Sequence, residues 1–317
     1  MSLNMNNVLR HMHHNKLPKE YQAKEDPDAV RVSEYWGKKS NQIQSPNISF
    51  EFFPPKTDSG LENLTSLAQK LETVPAEYFS VTFGAGGSTQ QGTLDTCKSL
   101  FDSTEVPVAP HISGIGSNKE SIALALQAYK EYGFKRLVVL RGDLPSGYGS
   151  KGDFPYAIHL IEFIQNKFDN YFDIEVGAYP ETHPEAKSPE DDLKYFCDKL
   201  SAGAKGAVTQ FFFDADVYFR FVENCAKLGA EQPITPGIMP IMSKDGLMRM
   251  AGNCGAKVPS TLIDKLEKFD TEDDLKKFGV EYIASLTQTL LDNGAPGIHF
   301  YTINQLNPTN QIINLID

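Results

Sequence analysis

From Ile48 onward, short apolar runs rich in β-branched and aromatic residues alternate with longer amphipathic stretches. The short runs predict buried strands, and the stretches between them have the periodicity of helices. Several of these helical stretches end in glycine, at Gly133, Gly203 and Gly229, as is typical of helix C-termini. The predicted strands are 48–53, 78–83, 106–112, 136–142, 174–180, 206–213, 234–241 and 297–303.

Strands and helices that alternate at roughly 30 residues per repeat predict a (β/α)8 TIM barrel over residues 47–317. The rival architecture is a doubly wound open sheet, which binds dinucleotides through a G-x-G-x-x-G turn after its first strand. Here Pro54 and Pro55 follow the first strand, and the GAGGS run at 84–88 follows the second without that spacing. These features favour the barrel. Residues 1–46 are polar and aperiodic, and we interpret them as an N-terminal extension, partly disordered.

Composition narrows the class of protein. The 317-residue chain carries 30 Lys and Arg against 41 Asp and Glu, a net charge of −11, which argues against nucleic acid or an anionic membrane as its partner. No apolar run approaches the roughly 20 residues that span a bilayer, and the N-terminus has no signal-like apolar core. The four cysteines form no C-x-x-C pair, which indicates a reducing compartment. We therefore predict a cytoplasmic protein.

The HMHH tract at residues 11–14 could bind a metal, but no carboxylate or cysteine cluster accompanies it. A solvated tail is the favoured interpretation, and no metal site is predicted.

Polar side chains stand at the end of nearly every predicted strand. In a barrel these ends meet at one mouth, where barrel enzymes carry their catalytic residues. Each residue alone has a structural explanation, but together they predict an active site. They are Glu51, Thr82, His111, Arg141, Asp143, Tyr179, His183, Gln210 and Tyr301.

Glu51 is the most informative of them because it interrupts the apolar run ISFEFF. A carboxylate among phenylalanines is costly to bury, and an apolar surround raises the pKa of a carboxyl group, as a proton donor working near neutral pH requires. We interpret Glu51 as a general acid. The alternative is a buried ion pair with Arg141 or Lys56.

Eight segments together resemble the methylenetetrahydrofolate reductase family over roughly residues 47–305: SFEFFPPK, SVTFGAGGST, APHISGIG, RLVVLRGDLPSG, AYPETHPEAK, the segment from DLKYF to TQFFFD, PGIMPI and HFYTIN. The resemblance implies a barrel that binds FAD at its mouth and takes electrons from NADH or NADPH. It implies ping-pong hydride transfer that converts methylenetetrahydrofolate to methyltetrahydrofolate for methionine synthesis. Small-molecule partners and a homo-oligomer are expected.

The resemblance also implies residue roles. Glu51 matches the general acid that opens the folate imidazolidine ring, and Asp143 matches an aspartate between flavin and pterin. Arg141, His183 and Lys199 are expected to hold phosphates, and Asp192 either a ribose hydroxyl or only a helix N-terminus. The full FAD set is Thr82, Ala85, His111, Arg141, Gly142, Asp143, Tyr156, Ala157, Tyr179, His183, Ala186, Asp192 and Lys199. The folate set is Glu51, Asp143, Gln210, Tyr301 and Gln305.

The sequence departs from the family pattern at three positions. Gln305 stands where an arginine is common, and Tyr195 and Asp198 stand where other polar or basic residues are usual. Because only a short tail follows the barrel, we expect no regulation by adenosylmethionine through a C-terminal domain. Two other functions stay open: a flavin- or folate-binding subunit without reductase activity, and another barrel flavoenzyme such as a proline dehydrogenase.

Overall fold

The computed structural model describes residues 46–83, 90–143 and 151–316. Residues 1–45, which include the HMHH tract, and Ala85 lie outside the described residues. The strands are β1 Asn47–Phe52, β2 Ala76–Val81, β3 Val108–Ser113, β4 Arg136–Leu140, β5 Asp173–Ala178, β6 Gly206–Thr209, β7 Ile234–Thr235, β8 Gly237–Ile238 and β9 Gly297–Tyr301.

The strands form a nearly closed parallel barrel in the order β7-β6-β5-β4-β3-β2-β1-β9-β8. β7 and β8 are the two halves of the predicted seventh strand, divided at Pro236, which has no N–H to donate to a neighbouring strand. β7 pairs with β6, and β8 pairs with β9 on the other side, so this broken strand completes the ring. The barrel prediction is confirmed, and the open doubly wound sheet is wrong.

Helices pack around the strands. They are α1 Asp58–Leu71, α2 Gln90–Ser103, α3 Lys119–Tyr132, α4 Ala157–Phe168, α5 Pro189–Ser201, α6 Ala215–Lys227, α7 Lys244–Cys254, α8 Ser260–Leu266, α9 Glu272–Asp292 and α10 Thr309–Ile313. Gly133, just after α3, has a φ of 100° and allows the helix to end there. No described helix is long and apolar enough to cross a membrane.

Several predicted strands end earlier than the sequence indicated. The predicted sixth strand, 206–213, stops as a strand at Thr209. Phe211, Phe212 and Phe213 follow the strand and are all buried. They instead form a buried bend that leads into α6.

The alternation of side chains divides each strand between two environments. In β1, Ile48, Phe50 and Phe52 belong to the large apolar core between strands and helices. The intervening residues, Ser49 and Glu51, point into the barrel. Among the described residues, a small second apolar cluster is formed by Tyr78, Ala109 and Val138 with Leu140 beside them. The barrel is therefore stabilised mainly from outside, and its interior is left for polar side chains.

Candidate active site

A cavity of about 380 Å³ opens at the carboxyl ends of the strands. Six of the predicted site residues line it: Glu51, Thr82, His111, Tyr179, Gln210 and Tyr301. Its other walls include Phe53, Phe83, Met239, Met250, Cys254, His299 and Ile303. The structure thus brings the centre of the predicted site together at the barrel mouth.

Glu51 lies between two imidazoles. Its Oε2 atom is 3.4 Å from His111 Nε2 and 3.6 Å from His299 Nε2, and 19% of its side chain is exposed. The expected phenylalanine surround is only partly present, because Phe50 and Phe52 belong to the outer core, whereas Phe53 lines the cavity with Glu51. An acid that borders both the cavity and two basic nitrogens can exchange a proton with either.

Glu51 forms neither of the ion pairs considered as alternatives, with Arg141 or with Lys56. The Arg141 guanidinium makes two 2.8 Å hydrogen bonds to the Glu185 carboxylate instead. Lys56 is exposed, and the described residues show no pairing between it and Glu51.

Strand register places His299 beside Glu51. Ser49 of β1 lies opposite both Tyr78 of β2 and His299 of β9, one layer below Glu51. The Ser49 hydroxyl is 2.7 Å from His299 Nδ1, and the Tyr78 ring stacks on the His299 ring with centroids 5.8 Å apart. The hydroxyl fixes the ring so that its other nitrogen, Nε2, faces Glu51.

His111 is held differently. Burial lowers its pKa to about 4, against an opposing effect of the Glu51 charge, so its imidazole is neutral at physiological pH. Its Nε2 atom is buried and has no hydrogen-bond partner among the described residues. Such an atom at the rim of a cavity is free to bind a ligand group.

The segment after β9 clamps the end of β1. The Thr302 hydroxyl donates to the Glu51 carbonyl at 2.7 Å. The Asn304 side chain accepts from the Phe53 N–H at 3.0 Å and donates to the Phe53 carbonyl at 2.8 Å. Ile303, between them, has a φ of 53°, which is strained for a β-branched residue. These contacts fix the backbone on which Glu51 stands.

Several predicted FAD residues form a second cluster on one flank of the mouth. His183 donates its backbone N–H to Asp192 at 2.7 Å, and its ring packs against Tyr179 with centroids 4.5 Å apart. Burial and the Arg141 charge both lower the pKa of His183. The Ser188 side chain accepts from the Asp191 N–H, so the expected helix start at SPEDD is also confirmed.

Lys199 of α5 turns inward. Its ammonium donates to the Gly177 carbonyl at 2.6 Å. Burial lowers its pKa to about 8, with the Asp192 charge acting in the opposite direction.

Gly142 lies on the same flank of the mouth, with a φ of 83°, and a Cβ there would overlap Ser113 Oγ. Only glycine fits this turn without displacing its neighbour.

Other predicted residues lie away from the cavity wall. The Asp143 side chain is 93% exposed, with its Oδ1 atom 3.8 Å from Arg141 Nη2. Gln305 and Tyr156 are exposed, whereas Ala157 is buried at the start of α4. Ala186 donates its backbone N–H to the His183 carbonyl. Tyr195 is exposed and Asp198 is half-buried.

Sequence reasoning missed His299, the residue that links Glu51 to the barrel interior. A usable signal was present, because His299 lies two residues before Tyr301 and therefore on the same face of β9. Cys254 and Met250, which line the cavity from α7, carried no comparable signal, because their approach depends on how that helix folds over the mouth.

The chain is a parallel barrel whose carboxyl-end mouth carries a carboxyl group, two imidazoles and two cationic side chains. This arrangement is typical of barrel enzymes. The sequence profile described as methylenetetrahydrofolate reductase matches residues 38–317. The chain therefore belongs to the methylenetetrahydrofolate reductase family.

Similarity to named relatives supports the same family. The chain is 36% identical over 271 residues to methylenetetrahydrofolate reductase (NADH) 1 of Arabidopsis thaliana, covering 81% of this chain and 46% of that protein. It is 34% identical over 260 residues to 5,10-methylenetetrahydrofolate reductase of Escherichia coli, covering 82% of this chain and 86% of the relative. The chain thus spans about half the length of its plant relatives and most of the bacterial one.

Among solved structures, the chain resembles an uncharacterised protein from Clostridium thermocellum that binds two copies of 5-methyl-5,6,7,8-tetrahydrofolic acid. The TM-score is 0.57 at 16% identity, covering 87% of this chain and 96% of the other. At that identity the likeness supports the barrel fold.

Proposed function

We propose that residues 47–317 form a catalytic barrel that reduces methylenetetrahydrofolate to methyltetrahydrofolate, with electrons from NADH or NADPH. The observation that carries this proposal is Glu51, which the barrel presents to the mouth cavity between two imidazoles. Family membership supplies the substrate class. The product would serve methionine synthesis, and we propose that the enzyme works in the cytoplasm.

Glu51 would act as the general acid. Opening the five-membered ring of the substrate requires a proton on one of its nitrogens, which leaves an iminium carbon that can accept hydride. The carboxyl group borders the cavity, while the carbonyl behind it is held by Thr302. A fixed acid at the reacting atom is worth about 10²- to 10⁴-fold in rate.

The residues of the mouth fit FAD, which when bound would carry hydride from the nicotinamide to the folate. Arg141 and Lys199 supply cations on one flank of the mouth, as the phosphates of a dinucleotide require, and the His183 ring adds a neutral hydrogen-bonding group beside them. Asp192 acts on both His183 and Lys199, so these groups form one electrostatic cluster. Arg141 would exchange the Glu185 carboxylate for a phosphate, since both match its planar fork.

Two further side chains would hold the folate. Gln210 lines the cavity, and its side-chain oxygen accepts from the Phe211 N–H at 3.0 Å. An amide has both donors and an acceptor, which suits the mixed edge of a pterin. Tyr301 donates its hydroxyl to the Thr209 carbonyl at 2.7 Å, so it offers the cavity its ring rather than its hydroxyl. Asp143, on the rim, would contact both flavin and pterin.

The test separates the two half-reactions. Purified protein should show an oxidised-flavin spectrum that NADH or NADPH bleaches and methylenetetrahydrofolate restores. In Glu51→Gln, bleaching should proceed at the parent rate, whereas reoxidation by the folate should slow by about 10²-fold or more.

Two results would contradict the proposal. Equal slowing of both half-reactions would show that Glu51 is not an acid specific to the folate step. A flavin that is bound but never reduced by either nucleotide would favour a binding subunit without reductase activity. An exposed carboxylate on α5, Glu190, provides the control variant Glu190→Gln, which should alter neither rate.

A further inference from the structure

The segment after β9 pairs with the chain just beyond the end of β1. The Asn304 side chain accepts from the Phe53 N–H at 3.0 Å and donates to the Phe53 carbonyl at 2.8 Å. In a sheet, the backbone of a neighbouring strand satisfies both groups of a residue in this way. Here β9 has ended at Tyr301, and one side-chain amide makes both bonds. The backbone of Phe53 is therefore fixed although it lies outside the strand.

The backbone that carries this amide is strained. Ile303 has a φ of 53° and Asn304 a φ of 51°, so both are in the left-handed region. Asparagine tolerates this region, but a β-branched residue adopts it only where its surroundings hold it there. The Thr302 hydroxyl contributes to this hold, because it accepts from the Asn304 N–H at 3.1 Å and donates to the Glu51 carbonyl at 2.7 Å. Such strain is concentrated at functional sites, which suggests that the segment does more than connect two elements.

Phe53 is the residue whose backbone the amide holds. Its side chain is 46% exposed, although it lines the mouth cavity, whereas Phe50 and Phe52 of the same run are buried in the outer core. Ligand cavities are lined mainly by apolar and aromatic side chains, and a wall fixed in advance costs less order on binding. A half-exposed ring on a backbone held by two hydrogen bonds meets both conditions.

The spacing of Phe53 from Glu51 indicates which ligand the ring would meet. The two residues are two apart in the chain, and both line the cavity. At about 3.3 Å per residue in extended chain, their Cα atoms are separated by roughly 7 Å. The five-membered ring that Glu51 would protonate joins the pterin of the folate to its aminobenzoyl ring. A folate nitrogen at Glu51 therefore brings one of these flat rings within reach of Phe53.

We propose that Asn304 is a positioning residue that holds the Phe53 ring as the apolar face against which the folate rings lie at Glu51. The inference rests on folate reduction as the proposed function. Asn304 acts through Phe53 and does not itself touch the substrate. Hydride transfer from the nicotinamide requires no proton from Glu51, so nothing requires the nicotinamide to lie against the same ring. Loss of the amide should therefore weaken folate binding selectively.

The test compares Asn304→Gly with Asn304→Ala. Both variants lose the two hydrogen bonds to Phe53, but glycine adopts a φ of 51° without strain and alanine does not. Methyltetrahydrofolate, titrated against the flavin spectrum of the oxidised enzyme, should bind about tenfold more weakly to both variants. Bleaching by the nicotinamide donor should change less than about twofold. The alanine variant alone should show the additional loss of thermal stability that backbone strain causes.

A double-mutant cycle with Phe53→Ala shows whether Asn304 acts through that ring. Phe53→Ala should itself weaken methyltetrahydrofolate binding about tenfold. Adding Asn304→Gly to it should weaken binding little further, because the effects of two residues that act as one unit do not add. The matched control is Asn293→Ala, after α9 and before β9, which removes a side-chain hydrogen bond to the Thr289 carbonyl at 2.8 Å. It should lower stability without changing folate binding.

Three results would overturn the positioning role. They are unchanged methyltetrahydrofolate binding in Asn304→Gly, additive losses in the cycle, and equal losses of folate binding and of bleaching by the nicotinamide donor. The last of these would show that Asn304 only stabilises the mouth as a whole. A parent enzyme that binds no methyltetrahydrofolate would instead refute the proposed function, and the inference with it, so the two failures are distinguishable.

Discussion

Replacing Lys199 by methionine should weaken FAD binding and also change how stability depends on pH. Methionine keeps the length of the apolar stem while removing the ammonium group. In the folded chain that group donates to the Gly177 carbonyl at 2.6 Å and lies on the flank that we propose for the FAD phosphates. One substitution therefore tests a cofactor role and a structural role separately.

The effect on FAD follows from the loss of one charge-assisted hydrogen bond. Such a bond is worth roughly 1.5–3 kcal/mol, so the Kd for FAD should rise about ten- to a hundredfold. Arg141 and His183 remain, which is why binding should weaken without being abolished. Because FAD stabilises only the native state that binds it, the melting temperature of the variant should respond less to a given FAD concentration.

The effect on stability has a definite sign. Burial lowers the pKa of Lys199 from 10.5 to about 8, so between these values the unfolded chain holds a proton that the folded chain has lost. Stability should therefore rise with pH across this window in the parent. The full difference corresponds to about 3 kcal/mol at most, and partial exposure makes the real gain smaller. The variant lacks this gain.

The assay is urea unfolding of FAD-free protein at pH 7.5 and pH 9.5, together with FAD titration at pH 7.5. The control is Lys194→Met, because Lys194 lies on the same helix but is exposed. The absolute stability at pH 7.5 is a poor guide, since loss of the buried charge and loss of the Gly177 hydrogen bond oppose each other. If the variant shows the parent's pH dependence and the parent's FAD affinity, Lys199 is neither buried nor part of the phosphate site.

Two further predictions concern the rim. Asp143→Asn should raise the flavin midpoint potential and weaken folate binding, because a carboxylate beside the flavin opposes the anionic reduced form; a redox titration with an unchanged or lower potential would contradict this placement. Gly142→Ala should lower the free energy of unfolding by more than about 1 kcal/mol in thermal unfolding, because its φ of 83° is strained for alanine and the added methyl group would overlap Ser113 Oγ. The control is Gly252→Ala, where the methyl group would stand in open space on α7 and should not destabilise the protein.

The sequence was sufficient to predict the barrel and the centre of the site because both depend on local periodicity. The apolar runs set the strands, and the residue at each strand end then falls at the mouth. The broken seventh strand was not predicted, although Pro236 was visible in it. Its two halves pair with different neighbours, and closure of a ring is a long-range property that no short window contains.

The hydrogen-bond partners of the side chains at the barrel mouth could not be predicted from the sequence either. Arg141 was expected to meet phosphate or Glu51, yet its guanidinium binds Glu185, 44 residues away. Lys199 was expected on the cofactor flank, and the structure adds that its ammonium turns toward the backbone of β5. Both contacts depend on how loops and helices pack at the barrel rim, and the residue types alone allow several pairings of this kind.

The position of Glu51 in an apolar run follows from the two faces of β1. Phe50 packs between Phe79 and Phe300, with ring centroids 6.0 and 5.9 Å away, in the core under the helices. Glu51 and Ser49 face the interior instead, where strand register places a polar partner beside each. The two phenylalanines adjacent to Glu51 in the sequence are thus separated from it by the sheet. Their burial stabilises the strand, and this allows the opposite face to carry side chains chosen for proton chemistry rather than for packing.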